Sequence, residues 1–363
     1  MEPEASSKRL LVAASGTGGH VFPALATAES LSDYHIEWLG VPHRMETQLV
    51  GDRYPLHLIP VEGFQTRLGL GTVKVLVRFV NAVFACRKIL KRGKFDGVFT
   101  TGGYIAAPAI LAARSLEIPV VLHESNAIPG KVTKWFSRWC DVVAIGFLDA
   151  ARSLPQVKTV CVGTPVRPDF LKDTSFDLPI PDDVPLIVVM GGSQGAVAVN
   201  QLVRECAPSW FEVGAWVVHL TGTYDPDVDS LKHPQYIAMP FYDNVAGLLQ
   251  RANLAVSRAG SGTLTELATT HTPSILIPFP YAAEDHQFYN GRGFVEAGAA
   301  LMFRQAEISP EVLQTEVLEL LNSPEKLDRM TKAMAGLAVP DSAQRLAQLI
   351  RDVVTFSPIK LAL

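Results

Sequence analysis

Residues 11–19 read LVAASGTGG: an apolar run, a glycine-rich turn and the start of a helical pattern. The same order returns at residues 187–195, which read IVVMGGSQG and again lead into a helical pattern. A buried strand, a tight turn and a helix form the βα unit from which parallel sheets are built. The two openings therefore predict an α/β protein with two tandem domains of one type.

Short β-branched runs alternate with helical patterns from end to end, as expected for βα units. We expect strands at residues 10–14, 36–39, 97–100, 120–123 and 142–145, and in a second series at 186–190, 216–220, 254–257 and 274–278. Helical patterns include 23–32 and 105–115. Five prolines between residues 165 and 185 predict a linker, so the expected domains are 1–166 and 167–341. A last helix over 342–354 fits either domain by its pattern.

The composition, with 48% hydrophobic and 19% charged residues, excludes disordered, collagen-like and disulfide-stapled chains. The 363 residues exceed the ~150 of one domain, which agrees with two domains. The net charge of −4 argues against a surface that binds nucleic acid throughout. Four cysteines without a CxxC pair indicate reduced, buried thiols rather than zinc or redox chemistry. No run approaches the ~18 apolar residues needed to cross a bilayer.

Each glycine-rich turn is a candidate phosphate site. The backbone N–H groups and the positive dipole end of the following helix meet there, and glycine lets a ligand approach the backbone closely. The first turn does not match a dinucleotide fingerprint, because Val21 stands where a third glycine is required. One such turn serves equally well as a tight βα connection. Two turns, each at the first strand of its domain, favour phosphate binding.

A third loop, residues 258–266 (RAGSGTLTE), also follows an apolar strand and enters a helix. We expect Ser261 or Thr263 to cap that helix with its side chain. Glu266, one turn further on, suits either a capping box or a pair of ribose hydroxyls. In a domain that holds a nucleotide, the ribose role is the better interpretation.

His20 and Glu124 are the candidate catalytic residues. His20 begins the first helix, where the dipole favours a neutral imidazole that can accept a proton from a sugar hydroxyl. It fits equally well as a structural histidine at a helix start. Residues 123–126, HESN, end a buried strand, so Glu124 and Asn126 either contact a sugar or satisfy the loop backbone.

Residues 63–95 contain eight basic and no acidic side chains. Read as a helix, this stretch places Lys74, Arg78, Lys88 and Arg92 on one face, with apolar residues over much of the remainder. A basic amphipathic helix of this kind can lie on an anionic lipid leaflet. The alternative is a helix packed on the core with a solvated charged face. The missing acids favour the membrane interpretation.

Together these motifs closely resemble those of the peptidoglycan N-acetylglucosaminyltransferases of glycosyltransferase family 28. The resemblance rests on GTGGHVFPALA (16–26), TGGY (101–104), HESN (123–126), GGSQG (191–195) and DHQFYN (285–290). It implies a GT-B fold, with two Rossmann-like, doubly wound domains facing across a cleft. The final helix, 342–363, is then expected to pack back on the first domain.

The resemblance also implies a reaction. UDP-GlcNAc donates GlcNAc, with inversion, to the muramoyl 4-hydroxyl of undecaprenyl-diphospho-muramoylpentapeptide (lipid I), without a cofactor or a bound metal. The implied partners are UDP-GlcNAc, lipid I and an anionic membrane surface, with no nucleic acid. The expected location is peripheral, on the cytoplasmic face of the bacterial inner membrane. Alternatives are a diacylglycerol-type GT-B transferase, a UDP-GlcNAc 2-epimerase and a nucleotide-binding regulatory module.

Matching motifs carry the family's site residues onto this chain. Ser193 is expected at the phosphates, the Tyr242 backbone at the uracil, and Gln287 and Asn126 at GlcNAc. Arg167 resembles the family arginine near the nucleotide, and His20 is the expected base with Glu124 as runner-up. The loops expected to hold the ribose and phosphate and to close the donor site comprise Ser261, Gly262, Thr263, Leu264, Thr265 and Glu266, and Thr17, Gly18 and Gly19.

Overall fold

The computed structural model describes residues 7–61, 70–192 and 195–356, with the backbone alone at 70–74. Its described residues form two compact α/β units. The first unit runs to Arg167 and takes up the chain again from Asp341, and the second is Pro168–Pro340. Arg167 thus falls in the first unit and not, as the expected boundary had it, in the second.

The first unit is built on a seven-stranded parallel sheet with the order β3-β2-β1-β4-β5-β6-β7. Its strands are β1 Arg9–Ala13, β2 His35–Gly40, β3 Leu56–Leu58, β4 Gly97–Thr100, β5 Val120–Glu124, β6 Val142–Ile145 and β7 Thr159–Cys161. Its helices are α1 Gly18–Glu29, α2 Glu46–Leu49, α3 Leu70–Gly93, α4 Ala106–Arg114, α5 Lys131–Phe136 and α6 Asp149–Arg152, with a 3-10 turn at Ser137–Trp139.

The second unit has a six-stranded parallel sheet with the order β10-β9-β8-β11-β12-β13. Its strands are β8 Leu186–Met190, β9 Trp216–Leu220, β10 Tyr236–Met239, β11 Leu254–Ser257, β12 Ser274–Leu276 and β13 Ala300–Met302. Its helices are α7 Val197–Glu212, α8 Val245–Arg251, α9 Ser261–Thr269, α10 His286–Glu296, α11 Pro310–Leu321 and α12 Pro324–Ala335, with 3-10 turns at Pro168–Leu171 and Ala283–Asp285.

The final helix, α13 Ser342–Phe356, belongs to the core of the first unit. Leu346, Ala347 and Ile350 are fully buried in the cluster that contains the β1 residues Leu10 and Val12. Arg351 donates to Asp33 Oδ1 at 2.7 Å, beyond the end of α1. The helix is held by apolar burial, with this ion pair at its rim.

Some expectations need correction. The proline-rich segment at 165–185 is not a free linker: Phe170 is buried, and Gln250 and Arg251 bond to backbone groups of the segment. Cys161 is exposed on the edge strand β7, and Cys140 is half-buried, so the expectation of four buried thiols is wrong. Among the described residues, no helix is long and apolar enough to cross a membrane.

Candidate functional site

Three loops of the first unit lie side by side. They follow β1, β4 and β5, which are neighbours in the sheet, so their strands deliver them to one carboxyl edge. In open α/β sheets ligands bind at this edge. The loops contain Thr17, the 101–104 motif and the 123–126 motif. The sheet therefore brings together the first-unit residues that the sequence singled out.

A buried carboxylate shapes the first glycine loop. The Gly16 N–H, on a residue with φ of +109°, donates to Glu46 Oε2 at 3.2 Å. Oε1 of the same fully buried Glu46 accepts from the Val41 N–H at 2.8 Å. Glu46 thus ties the loop after β1 to the end of β2. Sequence reasoning missed Glu46, because its only signal is an acid in the segment that follows the neighbouring strand.

Helix α1 begins directly after this loop. Thr17 is its N-cap residue, and within the described residues the Thr17 side chain makes no capping bond. The N–H groups of the first turn have no partner inside a helix, and the dipole is positive there. A Cβ at Gly18 would lie 2.8 Å from the Phe22 ring, so glycine is needed for this packing. The turn at 17–19 is therefore suited to an anionic or strongly polar group.

The loop after β4 holds the His20 imidazole in one orientation. Its Nδ1 lies 2.7 Å from the Thr101 carbonyl oxygen, which can only accept a hydrogen bond. In the neutral ring the proton consequently sits on Nδ1 and leaves Nε2 as the acceptor. The ring lies against Gly102 and Gly103, where an added Cβ would approach it to 3.7 Å. The second glycine motif therefore fixes the imidazole and its tautomer.

Glu124 is occupied by its own loop. Oε1 accepts from the backbone and side-chain nitrogens of Asn126, each at 3.0 Å. Oε2 accepts from the Gly130 N–H at 2.9 Å and from Thr133 Oγ1 at 2.6 Å. The carboxylate is buried and receives four hydrogen bonds, so it clasps the loop between β5 and α5. This arrangement favours His20 over Glu124 as the group that takes a proton.

The neighbouring His123 is a core histidine. It is fully buried, and its Nε2 lies 2.9 Å from the Gly163 carbonyl oxygen. Burial lowers the pKa of His123. Its imidazole is therefore neutral, and it packs the end of β5 against the segment after β7.

In the second unit the loops after β8, β11 and β12 also meet at one carboxyl edge. Gly192 and Gly195 have φ values of +87° and +77°, and a Cβ at Gly195 would lie 2.2 Å from the Thr221 carbonyl oxygen. Glycine is therefore obligatory at 195. Ser193 lies outside the described residues, so its phosphate role remains a prediction.

Gly260 is the N-cap residue of α9, and it has no side chain with which to cap the helix. The expectation that Ser261 or Thr263 caps α9 is wrong, because both lie inside the helix, after the capping position. The N-cap residue therefore offers no side-chain acceptor to the first-turn N–H groups. No atom of the described residues lies within 4 Å of a Cβ built on Gly262, so the backbone is open to close approach.

The remaining residues of this loop are buried or half-buried. Leu264 is fully buried, and its N–H donates to the Gly260 carbonyl oxygen at 2.9 Å, so it anchors the helix. Thr265 Oγ1 donates to the Ser261 carbonyl oxygen at 2.8 Å. Glu266 lies half-buried on the next turn. Within this set, Ser261 to Thr263 form the first turn, and Glu266 is the acidic group beside it.

Three further predicted contacts have defined surroundings. Gln287 Oε1 accepts from the Phe279 N–H at 2.9 Å. The Tyr242 hydroxyl donates to Asp177, and burial, aided by Asp177, raises the pKa of Tyr242 to about 12. Its side chain is thus engaged within the unit. The Arg167 guanidinium carbon lies 4.9 Å from the centroid of the Phe22 ring, beside the first-unit glycine loop.

Two Rossmann-like parallel-sheet domains with glycine turns at their carboxyl edges are the architecture of the GT-B class of proteins. The first domain matches the glycosyltransferase family 28 N-terminal domain over residues 10–145. The second matches the family 28 C-terminal domain over residues 186–346. The chain belongs to glycosyltransferase family 28.

Comparisons with individual relatives agree with this family assignment. The chain is 62% identical over 347 residues to the UDP-N-acetylglucosamine–N-acetylmuramyl-(pentapeptide) pyrophosphoryl-undecaprenol N-acetylglucosamine transferase of Trichodesmium erythraeum (strain IMS101), covering 96% of this chain and 93% of the relative. The crystal structure of Acinetobacter baumannii MurG superposes with a TM-score of 0.76 at 30% identity, covering 95% and 99% of the two chains. A Listeria monocytogenes protein described as a UDP-N-acetylglucosamine 2-epimerase superposes at 0.73 over 98% of each chain, with 14% identity. That last likeness is one of fold alone.

Proposed function

We propose that this chain is the N-acetylglucosaminyltransferase of peptidoglycan synthesis that transfers GlcNAc from UDP-GlcNAc to lipid I. The observation that carries the proposal is the 62% identity to the Trichodesmium transferase, which extends over 96% of the chain. An epimerase shares the architecture at 14% identity, so the fold by itself does not separate the two activities. The 62% sequence identity to the transferase extends along both domains, and it favours the transferase activity over the epimerase activity.

The donor binds to the second unit in this proposal. The first turn of α9 and the glycine turn after β8 offer backbone N–H groups and positive dipole ends to the diphosphate. The Glu266 carboxylate accepts hydrogen bonds from the ribose hydroxyls, and the backbone at Tyr242 contacts the uracil. Gln287, held at Phe279, reaches the sugar. Asn126 and the 17–19 turn of the first unit complete the donor contacts, with Arg167 near the nucleotide.

The chemistry is an inverting displacement. His20 Nε2 accepts the proton of the muramoyl 4-hydroxyl as the oxygen bonds to C1 of GlcNAc. The bond from C1 to the β-phosphate oxygen breaks on the opposite face, and the electron pair leaves with UDP. Dipole ends and Arg167 stabilise the charge that develops on the diphosphate. No carboxylate nucleophile is needed, which suits the bonded state of Glu124.

The acceptor is linked to a lipid and therefore lies in a membrane. Helix α3 provides the proposed contact between the protein and that membrane. Its inner side is buried at Ala82, Cys86 and Leu90, whereas an apolar strip on the outer side is exposed. That strip consists of Leu76, Val77, Val80 and Phe84. Phe84 is 65% exposed, which a helix with a merely solvated polar face does not require.

Basic side chains border this strip. Arg78, Lys88 and Arg92 are exposed on α3, while the Lys74 side chain lies outside the described residues. Trp135, 58% exposed on α5, adds an aromatic side chain of the kind enriched at membrane interfaces. Phe79 of α3 and Phe136 of α5 are in ring contact, with centroids 6.3 Å apart. Together they form a surface for peripheral binding to the cytoplasmic face of an anionic inner membrane.

Release of UDP in the presence of a lipid I analogue tests the activity. We expect UDP release from UDP-GlcNAc only when the acceptor is present, together with a product heavier by one GlcNAc. Acceptor-independent formation of UDP and an epimerised sugar would identify an epimerase instead. Binding of UDP-GlcNAc without turnover in either case would identify a regulatory module.

A further inference from the structure

Arg258 is a buried cation at the carboxyl edge of the second sheet. It follows β11 directly and is 6% exposed. Its Nη1 donates to the carbonyl oxygens of Ile277 at 2.9 Å and Pro278 at 3.1 Å, and its Nη2 donates to Gln305 Oε1 at 2.7 Å. All three acceptors are neutral, and within the described residues Arg258 makes no ion pair.

An isolated buried charge is costly, and buried cations are ordinarily paired with acids. Burial alone lowers the pKa of Arg258 to about 10, so the guanidinium remains protonated at neutral pH. Another buried arginine of this unit, Arg204, follows the ordinary pattern, because it is paired with Asp225. A cation kept without an acid at the ligand edge points to a task other than stability.

The three acceptors indicate that task. Arg258 joins the end of β11 to the segment Ile277–Phe279 after β12 and to Gln305 after β13. The Phe279 ring centroid lies 5.6 Å from the guanidinium carbon. The Phe279 N–H then donates to Gln287 Oε1. One guanidinium thus holds the backbone that orients Gln287.

The Phe279 contact also fixes which end of the Gln287 amide is offered. A backbone N–H is a donor, so the group that faces it must be the amide oxygen. The Gln287 NH2 group is therefore turned elsewhere, and it makes no hydrogen bond within the described part of the chain. It presents a donor to an acceptor atom of a ligand, such as a sugar hydroxyl or an acetamido carbonyl oxygen.

We propose that Arg258 is a positioning residue for the donor sugar: it holds Ile277–Phe279 so that the Gln287 amide N–H groups point to the sugar of the nucleotide donor. The proposal rests on the proposed function, which supplies that donor. Arginine suits the task because its planar fork reaches two carbonyls and an amide together, whereas lysine offers one nitrogen.

The test separates sugar binding from nucleotide binding. The variants are Arg258→Met, Arg258→Lys, Gln287→Ala and the double variant Arg258→Met/Gln287→Ala. We measure KM and kcat for UDP-GlcNAc, and the Kd of UDP by calorimetry. Arg258→Met is expected to raise the KM for UDP-GlcNAc about tenfold, the effect of one lost hydrogen bond, while the Kd of UDP changes by less than about threefold. Arg258→Lys should restore part of the loss.

The double variant tests whether Arg258 acts on donor binding through Gln287. If Arg258 acts through Gln287, the double variant has nearly the same KM as Gln287→Ala alone. Arg251→Met is the matched control, because Arg251 also donates to backbone carbonyls of this unit, at Pro181, Asp182 and Val184, away from the carboxyl edge. It should leave the donor KM unchanged.

Three results would overturn the inference: additive losses in the double variant, equal weakening of UDP and UDP-GlcNAc in Arg258→Met, or an unchanged KM in that variant. If Gln287→Ala leaves the KM unchanged, the proposed sugar contact is itself wrong and Arg258 has nothing to position. Acceptor-dependent UDP release by the unmodified enzyme reports separately on the proposed function. Should Arg258→Met fail to fold, Gln305→Met removes one of its three acceptors and should raise the same KM by a smaller factor.

Discussion

The two units share one βα scaffold, but opposite charges hold their ligand edges. Buried carboxylates organise the first edge: Glu46 holds the glycine loop and Glu124 clasps the loop after β5. A buried guanidinium, that of Arg258, organises the second edge. A diphosphate is stabilised by positive charge and repelled by carboxylates. The difference agrees with the proposal that the second unit binds the leaving nucleotide and that the first unit accepts the proton.

The largest expected effect comes from removing the proposed base, His20. His20→Ala should lower kcat by about 10²–10⁴-fold, the usual contribution of a general base. The Kd of UDP should change little, because the nucleotide is assigned to the second unit. The measurements are steady-state turnover with a lipid I analogue and calorimetry with UDP.

Glu124→Gln is the comparison variant for His20→Ala. An amide at 124 cannot accept all four hydrogen bonds, so stability should fall by about 1–3 kcal/mol, with a smaller loss of kcat than in His20→Ala. A variant His20→Ala with near-normal kcat, beside an inactive but folded Glu124→Gln, would reverse the assignment of the base.

The next largest expected effect is on membrane binding, and it compares surface helices of the two units. Helix α3 contains no acid, whereas α12 of the second unit pairs Lys332 with Asp328 at 2.5 Å. Replacing Arg78, Lys88 and Arg92 by Glu should reduce binding to anionic vesicles by about 100-fold or more, since each basic residue near the surface contributes about 1 kcal/mol. Flotation with phosphatidylglycerol vesicles measures the loss.

The matched control reverses Lys326, Arg329 and Lys332 of α12 and should leave flotation unchanged. Substituting Phe84 and Leu76 by Ser tests the insertion of apolar side chains separately from the attraction of charges. High salt screens the charges, so a loss of binding that persists at high salt comes from the apolar side chains. Equal flotation of the α3 and α12 variants would mean that α3 is a solvated surface helix.

Glycine substitutions compare the two phosphate-type turns. Gly195→Ala places a methyl group 2.2 Å from the Thr221 carbonyl oxygen on a residue with φ of +77°, so backbone must move. We expect a loss of about 2–3 kcal/mol in the unfolding free energy. Gly16 also has a positive φ, but no atom of the described residues lies within 4 Å of an added Cβ. Gly16→Ala should therefore cost only about 1 kcal/mol. Urea unfolding measures the loss of unfolding free energy in both variants. Equal losses would show that the positive φ, rather than crowding around the added methyl group, determines the cost of the substitution.

The central strands could be predicted from the sequence, and the edge strands could not. β4, β6, β8, β9 and β11 have the expected bounds because buried parallel strands are continuous apolar runs. β3, β7, β10 and β13 are three or four residues long and only partly buried, so little pattern marks them.

The site divides in the same way. His20, Glu124 and Gln287 could be predicted as candidates because they stand in loops next to predicted strands or within family motifs, and their roles stay predictions. Glu46 acts on Gly16 from 30 residues away, and Arg258 on Gln305 from 47 residues away. Such partners are set by strand order, which the apolar pattern does not encode. The capping of α9 was misjudged because a serine inside the first turn has the same local sequence signal as one before it.

A buried histidine of the second unit is expected to make stability depend on pH. His219 is wholly buried between Tyr236 Oη at 2.7 Å and Asn200 Oδ1 at 3.0 Å, and burial, with Arg204 nearby, lowers the pKa of His219 to about 3. Between pH 6.5 and 3 the unfolded chain then binds a proton that the folded chain does not. Stability should therefore fall as the pH decreases through that window, by up to about 1.4 kcal/mol per pH unit. His219→Gln, which keeps a donor and an acceptor, should flatten that slope in urea unfolding measured from pH 7 to pH 4, while the exposed His271→Gln should not. His123, neutral and buried in the first unit, contributes a slope of the same sign that remains in the variant. A slope unaltered by His219→Gln would mean that other groups, such as His123 or the Asp225 carboxylate with its lowered pKa, set the acid sensitivity.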